Sequence, residues 1–140
     1  MKQVLFLCTG NSARSQMAEA IVNARLGHDF NAMSAGTKPS GYVHPAAVKA
    51  LGEIGIQHVG HSQHVDDYRD VVFDLVITVC DDAAENCPVW LGRGERVHIG
   101  FPDPAAATGT DDQVLDAFRA VRRRIEAEVL DFLKQWQVAV

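Results

Sequence analysis

No apolar run in this chain of 140 residues reaches the length of about 18–20 that a membrane-spanning helix needs. The opening Met1-Lys2-Gln3 and Val4–Cys8 are too short for a secretory leader, and no small-residue cleavage site follows. A cytoplasmic protein without membrane attachment is therefore expected. Positive charge is scarce: 13 Lys and Arg against 18 Asp and Glu leave a net charge of −5. That balance argues against a nucleic-acid partner, which selects basic surfaces. The one basic run, Arg122-Arg123-Arg124, pairs by helical spacing with Glu126 and Glu128 and reads as a solvated helix face. Cysteine is also scarce, with three in all, and an odd count argues against a disulfide framework. No repeat or low-complexity segment breaks the chain, so residues 1–140 read as a single domain. No exposed apolar stripe is evident, and a monomer is expected.

Hydrophobic residues make up 47% of the chain, enough for one ordinary core. Val4–Cys8 is a short apolar run that ends in a loop of Gly, Ser and Asn, which predicts a first strand. Ser15–Leu26 carries Met17, Ala20, Ile21 and Ala24 at helical spacing and stops before Gly27. Phe30–Ser34 is a second strand, closed by Ala35-Gly36. A helix opens at His44-Pro45, where proline is tolerated in the first turn, and runs through Leu51. Phe73–Cys80 is nearly continuous in apolar and β-branched residues, as expected of a parallel strand buried on both faces. Arg96–Ile99 is a shorter fourth strand. The last helix starts at a capping box, Thr110 with Gln113. Its apolar positions Val114, Leu115, Phe118, Val121, Ile125, Val129, Phe132, Leu133 and Trp136 keep helical spacing, and most should face the sheet. Strands alternating with helices predict an α/β fold, with a four-stranded parallel sheet flanked by helices on both faces. Ligands of such sheets bind at the carboxyl ends of the strands. Cys8, Cys80 and the segment Gly100–Asp103 all follow strand ends, so they should share one edge.

Cys8-Thr9-Gly10-Asn11-Ser12-Ala13-Arg14-Ser15 lies between a strand and a helix. A loop in that place can turn several backbone N–H groups inward, with the positive end of a helix dipole behind them. It can cradle a tetrahedral oxyanion. Gly10 lets the backbone curl, Asn11 tolerates unusual dihedrals and can brace the loop, and Arg14 offers a planar fork for two anion oxygens. The same field favours the thiolate of Cys8, which Ser15 could hydrogen-bond. Phe101-Pro102-Asp103-Pro104 holds one carboxyl group between two prolines and, taken alone, reads as a turn. Cys80 and Cys87 lack the short Cys-x2-4-Cys spacing of common zinc sites, and the six histidines show no ligand spacing. His58, His61 and His64 read as loop or cap residues.

The segment from Cys8 to Glu19 resembles the low-molecular-weight protein tyrosine phosphatase superfamily. More closely, it resembles the thioredoxin-coupled arsenate reductases built on that fold. Ser34-Ala35-Gly36, His44-Pro45, the surroundings of Cys80 and Cys87, and Phe101–Pro104 extend the resemblance over nearly the whole chain. Ala13 stands where the family often has a further cysteine that its mechanism does not require. The resemblance implies Cys8 as nucleophile, Arg14 as anion clamp, Asp103 as general acid and residues 9–15 as the oxyanion loop. It implies a thiol relay from Cys8 through Cys80 to Cys87, regenerated by thioredoxin, that reduces arsenate to arsenite. The alternative is a phosphatase acting on phosphotyrosine or a small phosphoester, which needs Cys8 and Asp103 but neither later cysteine. No tightly bound cofactor is expected. Some members bind potassium, and the matching positions are Asn11, Glu19 and Ser34. The fourth, an aspartate in the family, is Gln63 here, and a lost anionic ligand argues against that site.

Asp81–Asn86 reads as helical. Residues seven apart, such as Cys80 and Cys87, would then be separated by about 10 Å of rise. A disulfide spans at most about 7 Å between Cα atoms, so oxidation must loosen this segment. Limited proteolysis is expected to cut between residues 80 and 90 differently in the oxidised and reduced protein. Identical digestion in the two redox states would count against the relay.

Overall fold

The structure is a computed structural model that describes residues 1–81, 90 and 92–139. In chain order it contains β1 (Lys2–Cys8), α1 (Arg14–Arg25), β2 (Phe30–Gly36), α2 (Pro45–Gly52) and a 3-10 turn (Val65–Tyr68). Then follow β3 (Leu75–Thr78), β4 (Glu95–His98), a second 3-10 turn (Pro104–Ala106) and α3 (Asp111–Ala139). The expected helix over Asp81–Asn86, beyond Asp81 itself, and the third cysteine, Cys87, lie outside the described residues.

The sheet has four strands, ordered β2-β1-β3-β4, and every pairing is parallel. Side chains alternate across it. Val4, Phe6, Phe30, Ala32, Leu75 and Ile77 share one core with α1, α2 and α3, through Met17, Ile21, Ala47, Leu51, Phe118, Ile125, Val129 and Leu133. Each fully buried Val, Leu, Ile, Phe or Met among them contributes about 1.5–3 kcal/mol of burial. Leu5, Leu7, Ala35 and Val76 face the other way and meet Val65, Phe73 and Trp90. Among the described residues this second face is closed by the first 3-10 turn and by aromatic edges, Phe73 on Trp90 at 5.7 Å and Tyr68 on Phe73 at 6.0 Å between ring centroids.

The other expected strands and helices are present, with shifted ends. β3 is shorter than the apolar run: Phe73 is buried before it, and Val79 and Cys80 are buried after it. The capping box of α3 forms as expected: Thr110 N donates to Gln113 Oε1 at 2.8 Å, and Gln113 N donates to Thr110 Oγ1 at 3.2 Å. The apolar stripe of α3 packs on α1 and α2 as well as reaching the sheet edge, where Trp136 lies 6.2 Å from Phe30. One expectation is corrected. Arg122 is not on a solvated face: it is buried, and its Nη1 donates to Ala50 O at 2.8 Å and to Glu53 Oε1 at 3.0 Å. The cause is the crossing of α2 and α3, which presents the unpaired carbonyl end of α2 to that side chain. The expected ion pairs Arg122–Glu126 (3.3 Å) and Arg124–Glu128 (2.8 Å) do form.

β1 and β2 end side by side at Cys8 and Gly36. A Cβ on Gly36 would fall 2.3 Å from Thr9 O and 3.0 Å from Asn11 N, both backbone atoms. Gly36→Ala is therefore expected to destabilise the protein by about 1–3 kcal/mol, read as a lower urea midpoint. A midpoint equal to that of the parent would show that the loop after β1 has slack.

Candidate active site

The chain leaves β1 at Cys8 and enters α1 at Arg14. Between them the carbonyls point outward, and each has a partner. Thr9 O accepts from Lys38 N (3.0 Å), Gly10 O from Ser40 N (2.9 Å), and Ser12 O from His44 N (2.9 Å). Asn11 O accepts from Gln16 Nε2 (3.1 Å), and Ala13 O from Met17 N inside the helix (2.9 Å). Peptide groups with outward carbonyls turn their N–H groups inward. The turn is completed by Asn11, which adopts φ +46° and is fully buried. Its side chain earns that conformation: Nδ2 donates to Ser15 Oγ (2.8 Å), and Oδ1 accepts from Gln63 N (2.7 Å) and Gln16 Nε2 (3.1 Å). α1 has neither a side-chain cap nor an acidic residue in its first turn. Its positive end is thus directed at the loop.

The result is a pocket of about 220 Å³ lined by Cys8, Thr9, Gly10, Ser12, Ala13, Arg14 and Asp103. Cys8 is a free thiol, 2% exposed. Asn11 N donates to its Sγ at 3.2 Å, and Ser15 Oγ lies 2.9 Å from it. Arg14 is buried, its Nη1 donating to Phe101 O at 3.3 Å and its Nη2 lying 3.9 Å from Asp103 Oδ2. Asp103 is part-exposed, and its Oδ1 caps the second 3-10 turn by accepting from Ala105 N at 3.0 Å. The loop that carries Asp103 is anchored by Phe101 N, which donates to Val79 O (3.2 Å), and by Arg124, whose guanidinium sits 5.0 Å from the Phe101 ring centre.

Of the residues expected in the oxyanion loop, Thr9, Gly10, Ser12, Ala13 and Arg14 line the pocket, while Asn11 and Ser15 stand behind it as braces. Asn11, and not Gly10, takes the left-handed backbone; a Cβ at Gly10 would meet only Ser12 Oγ, at 3.6 Å. Cys80 follows the strand next to β1. Val79 N donates to Leu7 O (2.9 Å), so Cys8 and Cys80 each come one residue after a bonded pair. Cys80 is fully buried and held in a disulfide.

Behind the loop lies a second polar cluster. Ser34 Oγ donates to Glu19 Oε1 (3.1 Å), and His58 Nε2 lies 3.7 Å from Glu19 Oε2. Tyr68 donates its hydroxyl hydrogen to Gln63 Oε1. Asn11 Oδ1, Gln63 Oε1 and Glu19 Oε1 all accept hydrogen bonds from protein donors. Among the described residues no group of three or more His, Cys, Asp or Glu side chains is placed to hold a metal.

The family model for low molecular weight phosphotyrosine protein phosphatases matches residues 3–139. An arsenate reductase of Halalkalibacterium halodurans is 46% identical over 132 residues, which is 94% of either chain. A solved arsenate reductase in the phosphate-binding state superposes with a TM-score of 0.76 at 28% identity, over 96% of this chain and 98% of that one. A thioredoxin-dependent arsenate reductase of Corynebacterium glutamicum shares the fold, with a TM-score of 0.70 at 24% identity, over 100% of this chain and 64% of that one.

Burial lifts the Glu19 carboxyl from the ordinary 4.5 to about 7. Between those values the folded chain keeps a proton that the unfolded chain has released. The stabilisation is complete below the lower value and lost as pH rises through the upper one. Urea unfolding from pH 5 to 8 should show a loss of up to about 3 kcal/mol. Glu19→Gln should remove that slope. Parallel curves for the two proteins would contradict the assignment.

Proposed function

The chain belongs to the low molecular weight phosphotyrosine protein phosphatase family, and within it we propose that it is an arsenate reductase that converts arsenate to arsenite. The observation that carries this reading is the pairing of two sulfurs at one sheet edge. One is a free thiol at an amide-lined pocket, and the other is a buried cysteine just past the end of the adjacent strand. A hydrolase of this design uses only the first. The identity to an arsenate reductase over nearly the whole chain points the same way.

In the proposed reaction, arsenate settles on the inward N–H groups with Arg14 across two of its oxygens. The Cys8 thiolate attacks arsenic(V) and forms an S–As bond. Asp103 gives a proton to the departing hydroxide, which leaves as water. Cys80 then attacks Cys8 Sγ. The S–As electron pair passes to arsenic, arsenite departs as arsenic(III), and a Cys8–Cys80 disulfide remains. Cys87 attacks Cys80 and frees Cys8 as a thiol. A dithiol reductant of the thioredoxin class then reduces the Cys80–Cys87 bond, consuming two electrons per arsenate. We place the reaction in the cytoplasm, in a single domain spanning 1–140 that acts as a monomer.

The small-phosphoester hydrolase reading shares Cys8, Arg14 and Asp103, and one variant separates the two. Cys80→Ser should abolish arsenate-dependent NADPH oxidation in the presence of thioredoxin and thioredoxin reductase. It should leave hydrolysis of an aryl phosphate within about threefold, because phosphoryl transfer needs only the first thiol. Equal loss of both activities would assign Cys80 a structural role and overturn the relay.

A further inference from the structure

The carbonyl of Asn11 is held outward by a side chain from the first turn of α1. Gln16, itself fully buried, donates through Nε2 to Asn11 O (3.1 Å), Asn11 Oδ1 (3.1 Å) and His61 O (2.8 Å). Three oxygens around one end of an amide identify that end as NH2. The other end, Oε1, must therefore accept, and its partner is His58 Nε2 at 2.8 Å. His58 Nε2 carries a hydrogen in this arrangement. Glu19 Oε2, at 3.7 Å, is too distant to take it in a hydrogen bond. The chain folds tightly over this contact: a Cβ on Gly60 would lie 2.3 Å from His58 Nε2 and 2.5 Å from Gln16 Oε1.

We propose that His58, acting through Gln16, is a positioning residue for the oxyanion loop. The inference rests on the assignment of that loop as the anion site. The three oxygens set which way the buried amide of Gln16 faces, and His58 tethers its other end in place. Gln16 fixes the Asn11 carbonyl outward, and that sets the N–H of Ser12, in the same peptide group, toward the pocket. Without the His58 donor, Gln16 Oε1 is a buried acceptor lacking this partner, and the side chain is held at its NH2 end alone. The Asn11–Ser12 peptide then loses the bond that opposes its rotation, and one anion donor leaves the pocket. His58 touches neither anion nor thiol.

The test follows Cys8 alkylation by iodoacetamide in the reduced full-length protein, mapped by mass spectrometry, with inorganic phosphate as the protecting anion. His58→Phe keeps an aromatic ring and removes the donor. It is expected to raise the half-protecting phosphate concentration about tenfold, the loss of one charge-assisted hydrogen bond. His58→Gln offers an amide donor to the same acceptor and should stay within about twofold of the parent. Unchanged protection in His58→Phe, or equal weakening in His58→Gln, would overturn the proposal. If His58→Phe does not fold, Gly60→Ala reads the same contact: weaker protection supports the proposal, and protection equal to the parent's overturns it. Phosphate protection that depends on His58 in a protein without arsenate turnover would sink the reductase reading and leave this inference standing.

Discussion

Peptide groups from Thr9 to Ala13 all present their carbonyls outward, and the rest of the site depends on that alignment. An anion buried against uncharged backbone is tolerated only where several donors converge on it, since each lost water contact must be replaced. Here the donors are ordinary amides. Their direction is set by what holds the carbonyls behind them: Lys38, Ser40 and His44 through their own backbone N–H groups, and Gln16 through its side chain. The pocket is thus preorganised from its back wall. Among the described residues Arg14 is the only cationic side chain that lines it, and burial strengthens that charge's pull on an anion.

Sheet topology supplies the wall. Placing β1 between β2 and β3 brings the segment after β2 against one side of the loop and the end of β3 against the other. Gly36 permits the first approach, and Val79 marks the second through its bonds to Leu7 and Phe101. The parallel arrangement puts all these chain ends on one edge, so a thiol, a second sulfur and a carboxylate come together although 95 residues separate Cys8 from Asp103. The core beneath, with α1, α2 and α3 on one sheet face, fixes this edge.

Much of this was legible in the sequence because it is local. The strand, loop and helix around Cys8 follow from hydrophobic runs and loop residues. Asn11 is a residue type that accepts positive φ, and the capping box of α3 lies within four consecutive residues. What escaped the reading depends on elements meeting in space. Gly36 looks like an ordinary strand terminator until β1 and β2 are paired in register. Arg122 reads as a surface charge until α2 ends against it. Gln16 and His58 lie 42 positions apart, and only the folded loop between Ile56 and His64 makes them neighbours. Charge and polarity suggest exposure by default, and tertiary contacts reverse that default where a backbone acceptor needs a donor.

The central claim is that the chain carries, within itself, both electrons that arsenate requires. The direct measurement is a single turnover: fully reduced protein mixed with excess arsenate, no added thiol or thioredoxin, with arsenite and protein mass determined after quenching. The account predicts one arsenite per chain and a protein lighter by two hydrogens, with the new disulfide mapped to Cys80–Cys87 and Cys8 still open to alkylation. Reduced protein that releases no arsenite until an external thiol is supplied would contradict it.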